Sequence, residues 1–283
     1  MLPIVAPDVT SALEPPGIDA ELAAGWLVAF LRDEMVERRR IPRAVVGLSG
    51  GVDSAVTAYL CARALGSENV CAVRMPYRTS SSSSLSDAQL VIDALGLTSV
   101  TIDISGAVDG YLQYEPGADA RRRGNVMARI RMVVLFDQSA KYDALPVGTG
   151  NKTERLLGYF TWHADDTPPV NPLGDLFKSQ VWALARYLTV PEQLIAKAPS
   201  ADLEANQTDE ADLGVTYARA DAILSHILQG YTDDALVERG FDRSDLELVR
   251  RRVDSTHWKR HLPTTAMLTN TAINEFYLRP VDY

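Results

Sequence analysis

An α/β fold is the class this sequence predicts: a doubly wound parallel sheet with helices on both faces and a helical C-terminal extension. Three observations carry it. Short apolar runs alternate with amphipathic stretches between residues 44 and 147. The first run ends on glycines, at Gly47 and again at Gly50-Gly51. Beyond residue 150 the apolar runs stop and helical periodicity remains. Strands that alternate with helices pair in parallel and are covered on both faces. Ligands on such sheets bind at the carboxyl ends of the strands.

Residues 1–17 carry four prolines, Pro3, Pro7, Pro15 and Pro16, and read as a poorly ordered arm. Asp19 is placed to cap a helix running to about Arg40, with Leu22, Trp26, Leu27, Phe30 and Leu31 on one face. Ala44–Leu48 reads as a buried strand, followed by a helix over 53–65 and a second strand over 70–73. The run Ser80–Ser84 is low in complexity and reads as a mobile loop, because serines alone build no core. A helix over 85–95, a strand over 99–104, a long helix over 123–142 and a fourth strand over 144–147 complete the alternation. Residues 163–172 form a Pro-containing loop. The stretches 176–188, 215–228 and 243–260 have helical period. The catalytic unit is expected over 18–265, with 266–283 as a tail.

The chain has 283 residues and a net charge of −9. An acidic chain lacks the electrostatic footprint of a general nucleic-acid binder, so no nucleic-acid partner is expected. The N-terminus has no basic region followed by an apolar run, and no stretch reaches the ~18 apolar residues of a membrane span. A cytoplasmic protein with no membrane partner is the expectation. Cys61 and Cys71 are the two cysteines. Without CxxC spacing they support neither a zinc site nor a disulfide framework, and they read as buried thiols. His163, His226, His257 and His261 show no metal-ligand spacing.

The strongest local signal is Gly47-Leu48-Ser49-Gly50-Gly51-Val52-Asp53-Ser54, between a strand and a helix. Glycines permit a tight turn and close backbone approach to a ligand. The helix N-terminus presents free N–H groups and a partial positive charge. Ser49 and Ser54 add hydroxyls. The pattern is not a Walker A loop, since no Lys-Ser/Thr follows at the required spacing. Instead Asp53 occupies the pocket. A carboxylate beside a polyphosphate calls for a cation between them, and Mg²⁺ held by carboxylate and phosphate oxygens fits. A plain glycine turn with a capping aspartate is the bland alternative. Gly148-Thr149-Gly150-Asn151-Lys152-Thr153 has the wrong spacing for a P-loop but follows a predicted strand.

The SGGxDS loop resembles that of the ATP pyrophosphatases, which cleave ATP to AMP and pyrophosphate on a Rossmann-like sheet. Within them, the ordered set of motifs over roughly residues 40–265 resembles the ammonia-dependent NAD synthetases. Those motifs are Gly124-Asn125-Val126-Met127-Ala128-Arg129-Ile130-Arg131-Met132, Gly148 to Glu154, Pro172 to Lys178, Pro199-Ser200-Ala201-Asp202-Leu203 and Gln207-Thr208-Asp209-Glu210. The resemblance implies amidation of the nicotinate carboxylate of deamido-NAD by ammonia. ATP would adenylate the carboxylate, and ammonia would displace AMP to leave NAD. It implies that Gly47, Leu48, Ser49, Gly50, Gly51, Val52, Asp53 and Ser54 hold ATP, with Arg74, Thr149, Lys178 and Ser200. It further implies that Asp53 and Glu154 share Mg²⁺, that Asp53 and Lys178 serve catalysis, and that Arg129, Asp209, Asp212 and Lys259 face deamido-NAD. The helix carrying Arg129 would build a homodimer interface. Arg129 and Arg131, two apart, face different sides of that helix, so at most one of them enters a given pocket. Glu154 as a helix N-terminal acid, Lys178 as a solvated lysine and Asp209 with Asp212 as a solvated acidic turn are the corresponding bland readings.

The sequence also departs from the family pattern. Trp162 stands where many members have lysine, Pro169 where an acid is common, and Trp258 where a histidine precedes the lysine. Trp162 is therefore a candidate for stacking on a nicotinate or adenine ring, and Trp258 is counted with the residues facing deamido-NAD. Residues 1–43 precede the first core strand, too few for a glutaminase domain, so the expected nitrogen donor is free ammonia or, as the alternative, ammonia delivered by a separate subunit. The loops 77–84 and 159–170 are expected to close over bound nucleotides. Two other readings stay open: another SGGxDS adenylating enzyme, for example one acting on tRNA, and a non-catalytic nucleotide-binding relative.

Overall fold

The structure, a computed structural model, describes residues 13–200, 208–261, 264–266 and 268. Most of the predicted arm and tail lies outside the described residues. So do Ala201-Asp202-Leu203 and Gln207.

Four short strands form one parallel sheet: β1 (Ala44–Gly47), β2 (Val70–Arg74), β3 (Thr98–Thr101) and β4 (Leu145–Val147), in the order β3-β2-β1-β4. Ala44 pairs with Val70 on one side and with Leu145 on the other. The chain winds outward from β1 to β3 and then returns to the opposite side of β1. The carboxyl ends of β1 and β4 therefore flank the point where the winding reverses, and a crevice opens there. Fully apolar Val45 and Val46 are solvent-free, as expected of a strand covered on both faces.

The helices are α1 (Ala20–Arg32), α2 (Val52–Leu65), α3 (Ser82–Leu95), α4 (Ser105–Leu112), α5 (Ala120–Lys141), α6 (Lys152–Leu157), α7 (Lys178–Tyr187), α8 (Glu192–Ala196), α9 (Asp209–Leu213), α10 (Tyr217–Leu228), α11 (Asp233–Glu238) and α12 (Arg243–Thr256). A π-helical stretch extends α1 from Asp33 to Arg38, and a 3₁₀ turn follows α12 over His257–Arg260. Asp19 does cap α1, accepting from the Leu22 N–H at 3.0 Å. One apolar core packs α1, α2 and α7 against the sheet. A second core, built by α6, α10, α11 and α12 around Tyr217 and Phe241, forms the helical extension. Trp182 of α7 packs against both, so α7 is the joint between sheet and extension. No helix among the described residues is long and apolar enough to cross a membrane.

Three elements differ from expectation. Ser82–Ser84 opens α3 rather than forming a loop, because Ser81 caps it, accepting from the Ser83 N–H at 3.2 Å. Serine is a strong helix cap even where it builds no core. The face of α1 is split: Leu31 is buried, whereas Leu22, Trp26 and Phe30 stay exposed. The third strand ends at Thr101, short of Ile104, and the chain turns there into α4.

Candidate active site

A cleft of about 360 Å³ lies across the carboxyl ends of β1 and β4. Its floor is the turn from β1 into α2. Gly50 adopts φ +80°, and a Cβ there would lie 2.2 Å from the Ser84 carbonyl oxygen of α3. The turn can be this tight only with glycine. Within it the Ser54 hydroxyl donates to the Gly51 carbonyl at 2.9 Å, and the Ser49 hydroxyl accepts from the Gly51 N–H at 3.2 Å. Gly51 is the N-cap of α2 and supplies no side chain to cap it. The first N–H groups of a well-formed helix are thereby directed at the cleft, the arrangement that binds anions.

Asp53, from the first turn of α2, stands together with Glu154 and Lys178. Lys178 starts α7, and its side chain is 2% exposed. Its ammonium donates to the Asp53 carboxylate and lies 4.0 Å from Glu154 Oε1. Burial pulls the Lys178 ammonium down, but Asp53 and Glu154 outweigh it and leave it raised. Asp53 also accepts from Asn151 Nδ2 at 3.0 Å. Asn151 caps α6 and forms a reciprocal capping box with Glu154. Glu154 is thus the helix N-terminal acid of the bland reading and a member of the cluster at once. Burial first, then the Asp53 charge, push the Glu154 carboxyl up to about 8. The solvated-lysine reading of Lys178 does not hold.

A second acidic group adjoins the first. Asp209, 5% exposed, accepts from Tyr159 at 3.1 Å and from Tyr217 at 2.9 Å. Burial raises its carboxyl despite Lys178. It is no solvated turn. Asp212 shares the Tyr159 hydroxyl at 2.9 Å but sits on the exposed side.

The cleft gathers Gly47 through Ser54, Thr149, Glu154, Lys178, Ser200 and Asp209. Six other singled-out residues stand outside its walls. Arg74 donates to Gln89 of α3 at 2.7 Å, and its buried Nε has no partner among the described residues. Arg129 donates to the Trp162 carbonyl at 3.0 Å, whereas Arg131 lines the cleft and donates to the Met75 carbonyl at 3.2 Å. The two-residue offset does separate the arginines, with Arg131 on the cleft side. Lys259 donates to the carbonyls of Gly158, at 2.6 Å, and Phe160, and its ammonium lies 4.2 Å from the Phe160 ring centre. It pins the 158–160 segment instead of pointing at the cleft. Trp162 packs on His163 and meets Trp258 edge-on at 5.2 Å. These indoles cover each other beside the cleft, and Asp212 lies beyond Tyr159.

Sequence reasoning missed Tyr217 and Lys197, and assigned the substrate contact to Arg129 where the structure puts Arg131 on the cleft. Lys197 lines the cleft and pairs with buried Asp87 at 2.7 Å. Only the Asn-x-x-Glu spacing at Asn151 was a readable signal, as a capping box.

An α/β enzyme that handles a nucleotide polyphosphate is the class this geometry defines. Within that class the chain belongs to the NAD synthase family, whose model matches residues 24–263. Family members use ATP. The chain is 46% identical over 267 residues to the NH(3)-dependent NAD(+) synthetase of Trichlorobacter lovleyi, covering 94% of this chain and 97% of that one. Among solved structures it resembles the NH3-dependent NAD synthetase from Campylobacter jejuni in complex with the nitrate ion (TM-score 0.76, 32% identity, 88% of this chain and 100% of that one). It also resembles the NMN synthetase from Francisella tularensis (TM-score 0.79, 32% identity, 88% and 99%).

The charge cluster sets a pH dependence. Folded, Glu154 keeps its proton up to about pH 8; unfolded, it releases it near the ordinary 4.5. Between those values the folded state holds more protons, so this group's contribution to stability is lost as pH rises. The urea midpoint of the ligand-free chain is expected to fall between pH 6 and 8, more steeply than that of Glu154→Gln. Parallel profiles for the two proteins would contradict the placement.

Proposed function

We propose that the chain is a ligase that amidates the nicotinate carboxylate of deamido-NAD with ammonia, consuming ATP and giving NAD, AMP and pyrophosphate. The observation that carries this reading is the buried Lys178 ammonium held by Asp53 in the first turn of α2, a helix whose N-terminus no side chain caps. Relatives that match nearly end to end and are named NH(3)-dependent NAD(+) synthetases support it.

A carboxylate oxygen is a poor leaving group, so the substrate must be activated. Its oxygen attacks the α-phosphorus of ATP and pyrophosphate departs. Ammonia then adds to the acyl carbon, loses a proton and expels AMP. The turn 47–54 binds the phosphates through backbone N–H groups and hydroxyls. Lys178 neutralises charge growing on the departing pyrophosphate. Cleft walls hold two anionic nucleotides in contact, which neither achieves in water.

Mg²⁺ fits this site. Asp53 and Glu154 present oxygen ligands, and the Glu154 carboxyl, raised by burial first and by the Asp53 charge second, is one that a divalent cation would hold in its charged form. Among the described residues no group of three or more His, Cys, Asp or Glu side chains is placed to hold a metal. The ion would take its remaining ligands from phosphate and water, and it would supply charge neutralisation on the polyphosphate.

The likeness to an NMN synthetase structure favours a second reading, in which a mononucleotide is the acceptor. Purified protein with ATP, Mg²⁺ and ammonium, offered deamido-NAD or nicotinate mononucleotide, separates the two. Equimolar NAD and AMP from deamido-NAD, abolished in Asp53→Asn, is the expected result. Product from the mononucleotide alone would transfer the reading to that substrate, and neither product would sink both.

The reading includes a homodimer formed through α5, whose Val133 is 65% exposed and Phe136 41%. Sedimentation is expected to show a dimer, and Val133→Arg with Phe136→Arg a monomer. A monomeric wild type at micromolar concentration would contradict this.

A further inference from the structure

We propose that Asp221 is a positioning residue for the Lys178 ammonium: from α10 it caps α7 across the fold, with Thr153 as the relay. The proposal deepens, and rests on, the reading of the cleft as an ATP-dependent ligase site. α7 begins at Lys178, and its N-cap is Phe177, which has no oxygen to offer. The first N–H groups of a helix have no partners within it. Here Lys178 is buried and Ser179 half-buried, and other side chains accept from their amides.

Those side chains come from two other helices. Asp221 is completely buried in α10, and its Oδ2 accepts from the Ser179 N–H at 2.8 Å. Its Oδ1 accepts from the Thr153 hydroxyl at 2.5 Å. That hydroxyl in turn accepts from the Lys178 N–H at 2.9 Å. The first two amides of α7 are therefore held by one carboxylate, one directly and one through a hydroxyl. Thr153 precedes Glu154 in the first turn of α6. The network thus fixes the start of α6, with Glu154, against the start of α7, with Lys178. It sets where the ammonium stands relative to Asp53 and Glu154.

A buried carboxylate with both oxygens in use specifies a single geometry, because any shift of α7 leaves a polar group unpaired. Sequence pattern does not show this. Asp221 falls on the buried face of α10, between Ala220 and Ala222, where a charge has no local reason to be.

Amide hydrogen exchange and steady-state kinetics on the full-length enzyme test it together. In Asp221→Ala the Lys178 and Ser179 amides are expected to lose protection while kcat falls roughly tenfold to hundredfold, the usual result of misplacing a group by about an ångström. Asp221→Asn keeps an acceptor for Ser179 and is expected to recover most of that loss. Amides that stay protected in Asp221→Ala, or become unprotected with wild-type kcat, overturn the proposal. If Asp221→Ala does not fold, Thr153→Val, which preserves shape and removes only the relay, carries the test. It is expected to lower kcat while the Ser179 amide stays protected, and a wild-type kcat overturns the proposal. If the wild type makes no NAD, the ligase reading has failed separately. Amide protection and the ATP Kd of Thr153→Val then decide, an unchanged Kd overturning the positioning role.

Discussion

Lys178 brings a positive charge into a place almost closed to solvent. Taking an ammonium out of water is costly by several kcal/mol unless the surroundings compensate. Here two carboxylates face it, and the rings of Tyr217 and Trp182 lie 5.2 and 5.9 Å from it. The compensation is incomplete in one respect: one ammonium faces two carboxylates, and burial first, with the Asp53 charge second, raises the Glu154 carboxyl. A cluster of this kind holds its shape only if every member is fixed from behind. Asn151 fixes Asp53 and Glu154, Tyr217 and Tyr159 fix Asp209, and the start of α7 fixes Lys178.

The fold provides that backing by joining two cores. The sheet core sets the β1 turn and α2, and with them Asp53. The helical core sets Tyr217 and the capping of α7. Because α7 packs into both, the distance from Lys178 to the phosphate turn is fixed by the whole domain rather than by a loop. The same logic explains Gly50 against Ser84: α3 presses on the turn so closely that only a residue without Cβ fits. The cleft is closely packed where the charges stand. At its edge, Lys259 and Arg129 hold the 158–162 segment by its carbonyls.

Much of this architecture was legible in the sequence. Strand–helix alternation marked the parallel sheet, since a strand buried on both faces must be apolar throughout, and the glycine turn marked the crevice. Asp53, Glu154, Lys178 and Asp209 were visible as motif members and meet in the cleft. The side chains that orient them were not visible. Tyr217 looks like one more apolar helix position, and Arg131 differs from Arg129 only in helical phase. The serine run misled because capping needs one hydroxyl at one dihedral, which composition does not report. Lys259 and Arg129 were distinguishable from cleft residues only by tertiary contacts.

The most direct test of the central role of Lys178 is single-turnover formation of AMP from ATP with deamido-NAD bound. In Lys178→Met the rate is expected to fall by about 10²–10³, as when one charge-stabilising donor is removed from a transition state, with ATP still bound. A rate equal to wild type would show that the buried ammonium serves the fold alone and contradict the account.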